Sequence, residues 1–269
     1  MKNALVISSF VAGSSVGGSL AMKILPQLGY RVSLLPTTLL GRHPGWGLPG
    51  GGGVPFDHFT GVAGGLVAND LPARSDLVVT GYFTSAEQVK FAADLISEHV
   101  SGRGLVVVDP IMGDDGKGLY VPEEVAAAIV SELLPLADVI TPNAWEFLET
   151  ERRLGHKIEQ SDILPQRTEL RAQLVHNAEP YARYITSVHD SGHVGILSAR
   201  GQDIAFAAAP FIKDGVPNGT GDLTTLLIAD AELKGDVSDE KLKTLVGQIN
   251  ANILTSQDGE LTGVLADAP

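Results

Sequence analysis

The sequence contains no cysteine, so disulfides and thiolate metal sites are excluded. Positive charge is scarce: 19 Lys and Arg stand against 32 Asp and Glu, a formal net charge of −13. No Lys/Arg run interleaved with aromatics occurs anywhere along it. A nucleic-acid partner is therefore disfavoured, because neutralising a phosphate backbone needs clustered basic side chains. Long apolar runs are lacking too. Ala4–Val11 is interrupted by Ser8 and Ser9 and is followed by glycines from Gly13, with no A-x-A cleavage site. It reads as a buried first strand rather than a signal peptide. No segment reaches the apolar length of a membrane helix, so no membrane partner and a cytoplasmic location are the expectations.

What is present allows a sizeable core. The chain has 269 residues, of which 44% are hydrophobic and 19% charged, a composition for one large α/β domain or two small ones. Glycine is plentiful, at 31 residues, and concentrates in Gly13–Gly18 and Gly41–Gly65. An anionic cofactor on so acidic a chain would have to be held by backbone amides, a helix N-terminus and metal ions.

Short apolar runs alternate with helical patterns. Strands are expected at Ala4–Ser9, Arg31–Leu35, Leu77–Thr80, Leu105–Val108, Asp138–Ile140, Tyr184–Thr186, Gly195–Leu197 and Ile204–Ala208. Helices are expected at Ser19–Leu28 with Gly29 as its cap, at Ser85–His99, at Pro122–Leu134 with Pro at its start, at Gly221–Leu233 and at Ser238–Thr255. Continuous apolar strands between helices imply an α/β fold, a mostly parallel sheet covered on both faces. Ligands of such sheets lie beyond the carboxyl ends of the strands. That rule singles out Ser9, Thr37, Gly81–Tyr82, Asp109–Asp114, Thr141–Glu146 and Thr186–Ser187. Leu40–Val62, with four glycines in a row at Gly50–Gly53, reads as a flexible loop and a candidate lid.

Asn218-Gly219-Thr220-Gly221-Asp222 opens a late helix. Two glycines free the backbone to turn, and the helix start offers unpaired amides and a positive dipole end to an anion. The same Asp could be an ordinary N-cap. Likewise Asp109-Pro110 and Asp114-Asp115-Gly116 could be turns, and Glu146 a capping-box acid. No G-x-G-x-x-G follows the first strand, so a dinucleotide-binding Rossmann reading is not supported.

Taken together these motifs resemble the ribokinase superfamily. GTGD resembles its anion-hole and catalytic-base motif. Val106–Val121 (VVVDPIMGDDGKGLYV) and Ala137–Glu146 (ADVITPNAWE) are similar to segments shared by pyridoxal kinases and hydroxymethylpyrimidine kinases. Val79–Val89 (VTGYFTSAEQV) and Ile185–Val188 (ITSV) resemble the pyridoxal kinase branch. The resemblance implies a single three-layer ribokinase-like domain over residues 1–269, with the segment near 40–62 as its lid. It implies transfer of a phosphoryl group from ATP to the hydroxymethyl group of pyridoxal or a related vitamer, with Mg²⁺, a monovalent cation such as K⁺, and a homodimer. Asp222 would be the base, and Gly219, Thr220 and Gly221 would supply amides to the transferred group. Glu146 would orient magnesium. Asp109, Asp114, Thr141, Thr186 and Ser187 would face ATP, and Ser9, Thr37, His43 and Tyr82 the vitamer. Departures cluster in the recognition half: Phe10 and Gly13 stand where the family has His and Tyr, and Gly50–Gly53 replaces a K-W-T-G-like segment. A hydroxymethylpyrimidine kinase and a non-catalytic vitamer- or nucleotide-binding protein are the alternatives.

Overall fold

The structure, a computed structural model, describes residues 1–100, 102, 104–157, 169–171, 174 and 179–265. Its strands are β1 (Lys2–Val11), β2 (Tyr30–Leu40), β3 (Gly51–Gly53), β4 (Leu77–Thr80), β5 (Leu105–Val108), β6 (Gly113–Asp114), β7 (Gly118–Leu119), β8 (Val139–Ile140), β9 (Ala182–Asp190), β10 (His193–Arg200) and β11 (Asp203–Pro210). Its helices are α1 (Gly17–Gln27), α2 (Phe56–Ala68), α3 (Ala86–His99), α4 (Glu123–Ala128), α5 (Ala144–Arg153), α6 (Thr220–Lys234) and α7 (Asp239–Leu254).

A nine-stranded sheet runs in the order β11-β10-β9-β8-β5-β4-β1-β2-β3. Pairings from β9 through β2 are parallel; only the edge pairs β9/β10, β10/β11 and β2/β3 are antiparallel. Successive side chains of a strand point to opposite faces, so an unbroken apolar run buries both. On β1, Ala4 and Val6 join one core with Leu20 and Ile24 of α1, Leu227 of α6 and Leu245 of α7. Leu5 and Ile7 join the other with Phe59 of α2, Val89 and Ile96 of α3 and Val125 of α4. The result is the expected α/β architecture, a mostly parallel sheet between two helical layers. Among the described residues no helix is long and apolar enough to cross a membrane.

Local signals hold at several boundaries. Gly29, at φ 94°, follows the end of α1, the left-handed position that ends many helices. Ser85 Oγ accepts from Gln88 N at 3.3 Å and caps α3. The stretch Pro122–Leu134 is not one helix. Pro122 is the cap residue of α4, which passes at Ile129–Leu133 into a π turn and at Leu134–Leu136 into a 3₁₀ turn. Pro135 has no N–H for the helical ladder, and the backbone changes winding ahead of it.

The expected loop Leu40–Val62 is largely ordered structure. β2 continues to Leu40, Gly51–Gly53 pairs antiparallel with Thr38–Leu40, and α2 starts at Phe56. Glycine is a poor strand former, but here proximity demands it. A Cβ on Gly51 would collide with the Leu39 carbonyl oxygen, and one on Gly53 would lie 2.6 Å from Thr84 Oγ1. α2 escaped the sequence pattern because Gly61, Gly64 and Gly65 blur its periodicity.

Candidate active site

The parallel strands bring their carboxyl ends to one edge of the sheet. Gly81, Asp109 and Thr141 lie just past the ends of β4, β5 and β8, Ser9 and Thr37 lie in the last residues of β1 and β2, Thr186 lies in the middle of β9, and α6 packs against β4 and β5.

Gly219 occupies the cap position of α6 at φ 85°, with no side chain capping the helix. A Cβ there would collide with the Ser15 carbonyl oxygen, so the position accepts only glycine. The first helical bond is Leu223 N to Gly219 O at 2.8 Å. The amides of Thr220 and Gly221 therefore have no partner within the helix. Thr220 Oγ1 is turned away, donating to the Pro217 carbonyl at 2.9 Å. Asp222 is the third helical residue rather than the cap, which removes the N-cap reading. Burial pushes its carboxyl up to about 6, against the N–H groups of Gly17 and of Asp222 itself, which hold it down. Burial outweighs those two N–H groups in setting its pKa.

Behind it a chain of hydroxyls leads to a buried acid. Thr225 Oγ1 donates to Asp109 Oδ2 at 2.9 Å and lies 2.8 Å from Thr141 Oγ1. Thr225 has one proton to give, so Thr141 donates to it. Asp109 is 7% exposed. Burial first, then the charges of Glu146 and Asp222, drive its pKa well above the ordinary carboxylate range, with the Thr225 bond opposing.

Glu146 is 3% exposed and completes a capping box on α5. Asn143 Oδ1 accepts from Glu146 N at 2.8 Å, and Glu146 Oε2 accepts from Asn143 N at 2.9 Å. Oε1 accepts from Met112 N at 3.0 Å and Gly113 N at 3.4 Å. Burial raises its pKa against those three amides. Asp114 sits on the exposed hairpin β6/β7, 3.3 Å from Lys117 Nζ. Tyr120, just past that hairpin, has its phenol raised by burial and then by Glu146, Asp109, Asp114 and Asp222 in turn.

Among the described residues no group of three or more His, Asp or Glu has metal-binding geometry. Asp109, Glu146 and Asp222 nevertheless form a carboxylate set whose raised pKa values a cation would relieve. Oxygen donors of that kind suit a hard divalent ion.

Beside the α6 N-terminus lies a mostly apolar cavity of about 270 Å³. Thr186, Ser187, Thr220, Gly221 and Phe211 line it with Ile249 of α7. Ser187 holds a left-handed φ of 56°. Thr186 Oγ1 reaches the Pro142 carbonyl at 3.4 Å. This cavity joins the expected ATP-facing pair to the anion turn.

The set expected to face the vitamer is less open. Ser9 is buried against Gly17. Thr37 is fully buried, its hydroxyl donating to the Tyr82 carbonyl at 2.6 Å. Tyr82 is half-buried and its phenol is raised by that burial. His43 Nδ1 accepts from Gly45 N at 3.1 Å, capping the turn Pro44–Trp46, and burial lowers its pKa. Thr37 and Thr141 thus spend their hydroxyls inside the fold. Thr225 and Tyr120 went unnamed in the sequence reading. Thr225 carries the signal of lying three residues past Asp222, on the same helical face.

The family model described as phosphomethylpyrimidine kinase matches residues 66–243. The chain belongs to this family. Within the phosphomethylpyrimidine kinase match lie Tyr82, Asp109, Glu146, Thr225 and the whole 218–222 turn, whereas Ser9, Thr37 and His43 precede it. Curated relatives carry vitamer-kinase names. The chain is 30% identical over 251 residues to the pyridoxine/pyridoxal/pyridoxamine kinase of Bordetella pertussis, covering 90% of this chain and 85% of that protein. With the protein of the same name from Bordetella avium it shares 35% identity over 142 residues, a match spanning 52% of this chain and 48% of the relative. The solved pyridoxal kinase of Leishmania donovani, in complex with ADP and pyridoxine, matches with a TM-score of 0.80 and 26% identity, covering 97% of this chain and 92% of that one.

Proposed function

We propose that this phosphomethylpyrimidine kinase family member transfers the γ-phosphoryl group of ATP to the hydroxymethyl group of pyridoxal or a related B6 vitamer. The observation that carries the reading is the α6 start: the Asp222 carboxyl directly follows Thr220 and Gly221, whose amides have no partner within the helix and which line a cavity of about 270 Å³. Phosphoryl transfer asks a protein for positioning and electrostatic stabilisation rather than covalent chemistry. Asp222 takes the proton of the attacking hydroxyl, and the two amides meet the negative charge of the transferred group. Thr186 and Ser187 line the ATP cavity, and Asp109 and Asp114 stand by its phosphates. Thr141 acts through Thr225 to orient Asp109. Ser9, His43 and Tyr82 face the vitamer, with Thr37 holding Tyr82 in place.

Mg²⁺ supplies charge neutralisation at the phosphates when bound, and Glu146 and Asp109 are the residues placed to orient it, Glu146 through water. A monovalent cation such as K⁺, a homodimer, a cytoplasmic location and one kinase domain over the whole chain complete the reading.

The test is a steady-state comparison of pyridoxal, pyridoxine, pyridoxamine and hydroxymethylpyrimidine with Mg-ATP. A higher kcat/KM for a B6 vitamer is expected. Preference for hydroxymethylpyrimidine, the second reading that the family model favours, would replace the substrate. No turnover with any of them would leave a binding protein on this fold.

A further inference from the structure

The C-terminal segment has no part in the chemistry described so far, yet it is built into the same corner. After α7, Gln257 and Glu260 exchange two backbone hydrogen bonds of 3.0 and 2.8 Å. Between them Asp258 and Gly259 hold φ values of 52° and 75°, and buried Leu261 anchors the turn in the core. One side of this turn meets the strand-like residue before the anion turn. Asn218 N donates to the Gly259 carbonyl at 3.3 Å, and Asn218 pairs with Glu260 as a parallel bridge.

The Glu260 side chain reaches the other way, to the loop between β1 and α1. Oε1 accepts from Ser14 Oγ at 2.5 Å, and Oε2 accepts from Ser15 N at 2.6 Å. Lys23 Nζ donates to Ser15 Oγ at 2.8 Å, steadying the same loop. That loop touches the catalytic turn twice. The Ser15 carbonyl oxygen lies against Gly219, leaving no room for a Cβ, and the N–H of Gly17 points at the Asp222 carboxyl.

We infer that Glu260 is a positioning residue, a carboxylate clamp holding the β1–α1 loop against the Asn218–Asp222 turn and so fixing where the Asp222 carboxyl lies. The carbonyl of its neighbour Gly259 holds one segment and its own side chain holds the other. The inference rests on the reading of Asp222 as base. The clamp also forms one wall of an open cleft of about 550 Å³ shared with Gly13 and Trp46. A direct contact between Glu260 and substrate is therefore the competing role that the test must separate.

Two variants of the full chain decide it. Glu260→Gln keeps the shape: its oxygen can accept from Ser15 N and its amide can donate to Ser14 Oγ. Glu260→Ala loses both bonds. In Glu260→Ala, amide hydrogen exchange at residues 14–18 and 219–223 is expected to quicken together. kcat should fall roughly tenfold to a hundredfold, as for a base displaced by a fraction of an ångström to an ångström, with KM for ATP unchanged. Glu260→Gln is expected to restore both. Unchanged exchange in the alanine variant overturns the clamp, as does a glutamine variant as impaired as alanine, or a loss confined to KM for the vitamer. The exchange measurement needs no turnover. If the wild-type protein phosphorylates no vitamer, the proposed function fails while the clamp is still decided.

Discussion

Thr225 Oγ1 donates to Asp109 Oδ2 at 2.9 Å, so the one hydroxyl proton of the third threonine of α6 is committed to a buried acid at the site. Thr225→Val keeps the shape but leaves Asp109 and Thr141 without this partner. An unsatisfied buried acceptor costs about 1–3 kcal/mol, more when charged. Urea unfolding should show a loss of that order, growing as pH rises, because more of Asp109 is then charged. An unchanged midpoint at pH 8 would show that water replaces the threonine.

Asp109 itself should oppose folding at high pH. Its folded pKa is raised above the unfolded value by burial, then by Glu146 and Asp222. A raised carboxyl contributes stability that is fully present below its unfolded pKa, near 4, and is lost as pH rises through the folded value. Asp109→Asn removes that loss. Its Tm without ligands should exceed the wild type's at pH 8, with the gap narrowing as pH falls toward the unfolded pKa near 4, while activity falls. A Tm below the wild type's at pH 8 contradicts this.

For Asp222, the pKa of about 6 sets the acid limb of the rate. Wild-type kcat/KM should rise through about pH 6 and level off above it, since only the ionised carboxyl accepts a proton. Asp222→Asn should bind ADP by calorimetry as the wild type does, yet lose a factor of roughly 10² or more in kcat, as for removal of a general base. Near-full activity would make Asp222 a structural residue.

Glu146 completes the capping box of α5, and one substitution separates that duty from its proposed role toward magnesium. Glu146→Gln keeps an acceptor but turns one oxygen into a donor facing either Asn143 N or Met112 N. A loss of about 1 kcal/mol of stability follows from the weakened capping box. Half-saturation by magnesium should also move to higher concentration. A stability change with an unaltered magnesium requirement leaves Glu146 as a helix-start acid alone.

The lid narrows to the residues between two anchored elements. Gly51–Gly53 is tied to β2, whereas the amides of Gly41 and Arg42 donate to the Pro49 and Gly50 carbonyls at 3.0–3.2 Å and the Gly41 carbonyl accepts from Gly13 N at 2.9 Å. Hydrogen exchange should be slow at Gly52–Gly53 with or without ligands. At residues 41–50 it should slow only when vitamer and ATP are bound, since closure keeps water from the phosphoryl group. Equal exchange in both states removes the lid.

The sequence by itself determined the layers and the chemistry. Runs such as Leu77–Val79 and Leu105–Val108 are apolar at every position, as expected of a strand covered on both faces. Asn218–Asp222 by itself allowed an anion turn or an ordinary N-cap, and only its resemblance to the GTGD motif favoured the first. Tertiary structure decided the rest. Whether Gly51–Gly53 is loop or strand depends on a neighbour, β2, that supplies its hydrogen bonds. Whether Asp222 caps its helix depends on Gly219, pressed against Ser15 more than two hundred residues earlier. Thr37 and Thr141 look free as hydroxyls at strand ends, and only the crossing of β2 past Tyr82 and of α6 past β8 shows them occupied. Local patterns record which face of an element is buried. The strand order that sets Asp109 beside Thr225 and Ser14 beside Glu260 is chosen by packing between distant segments, and no local pattern records it.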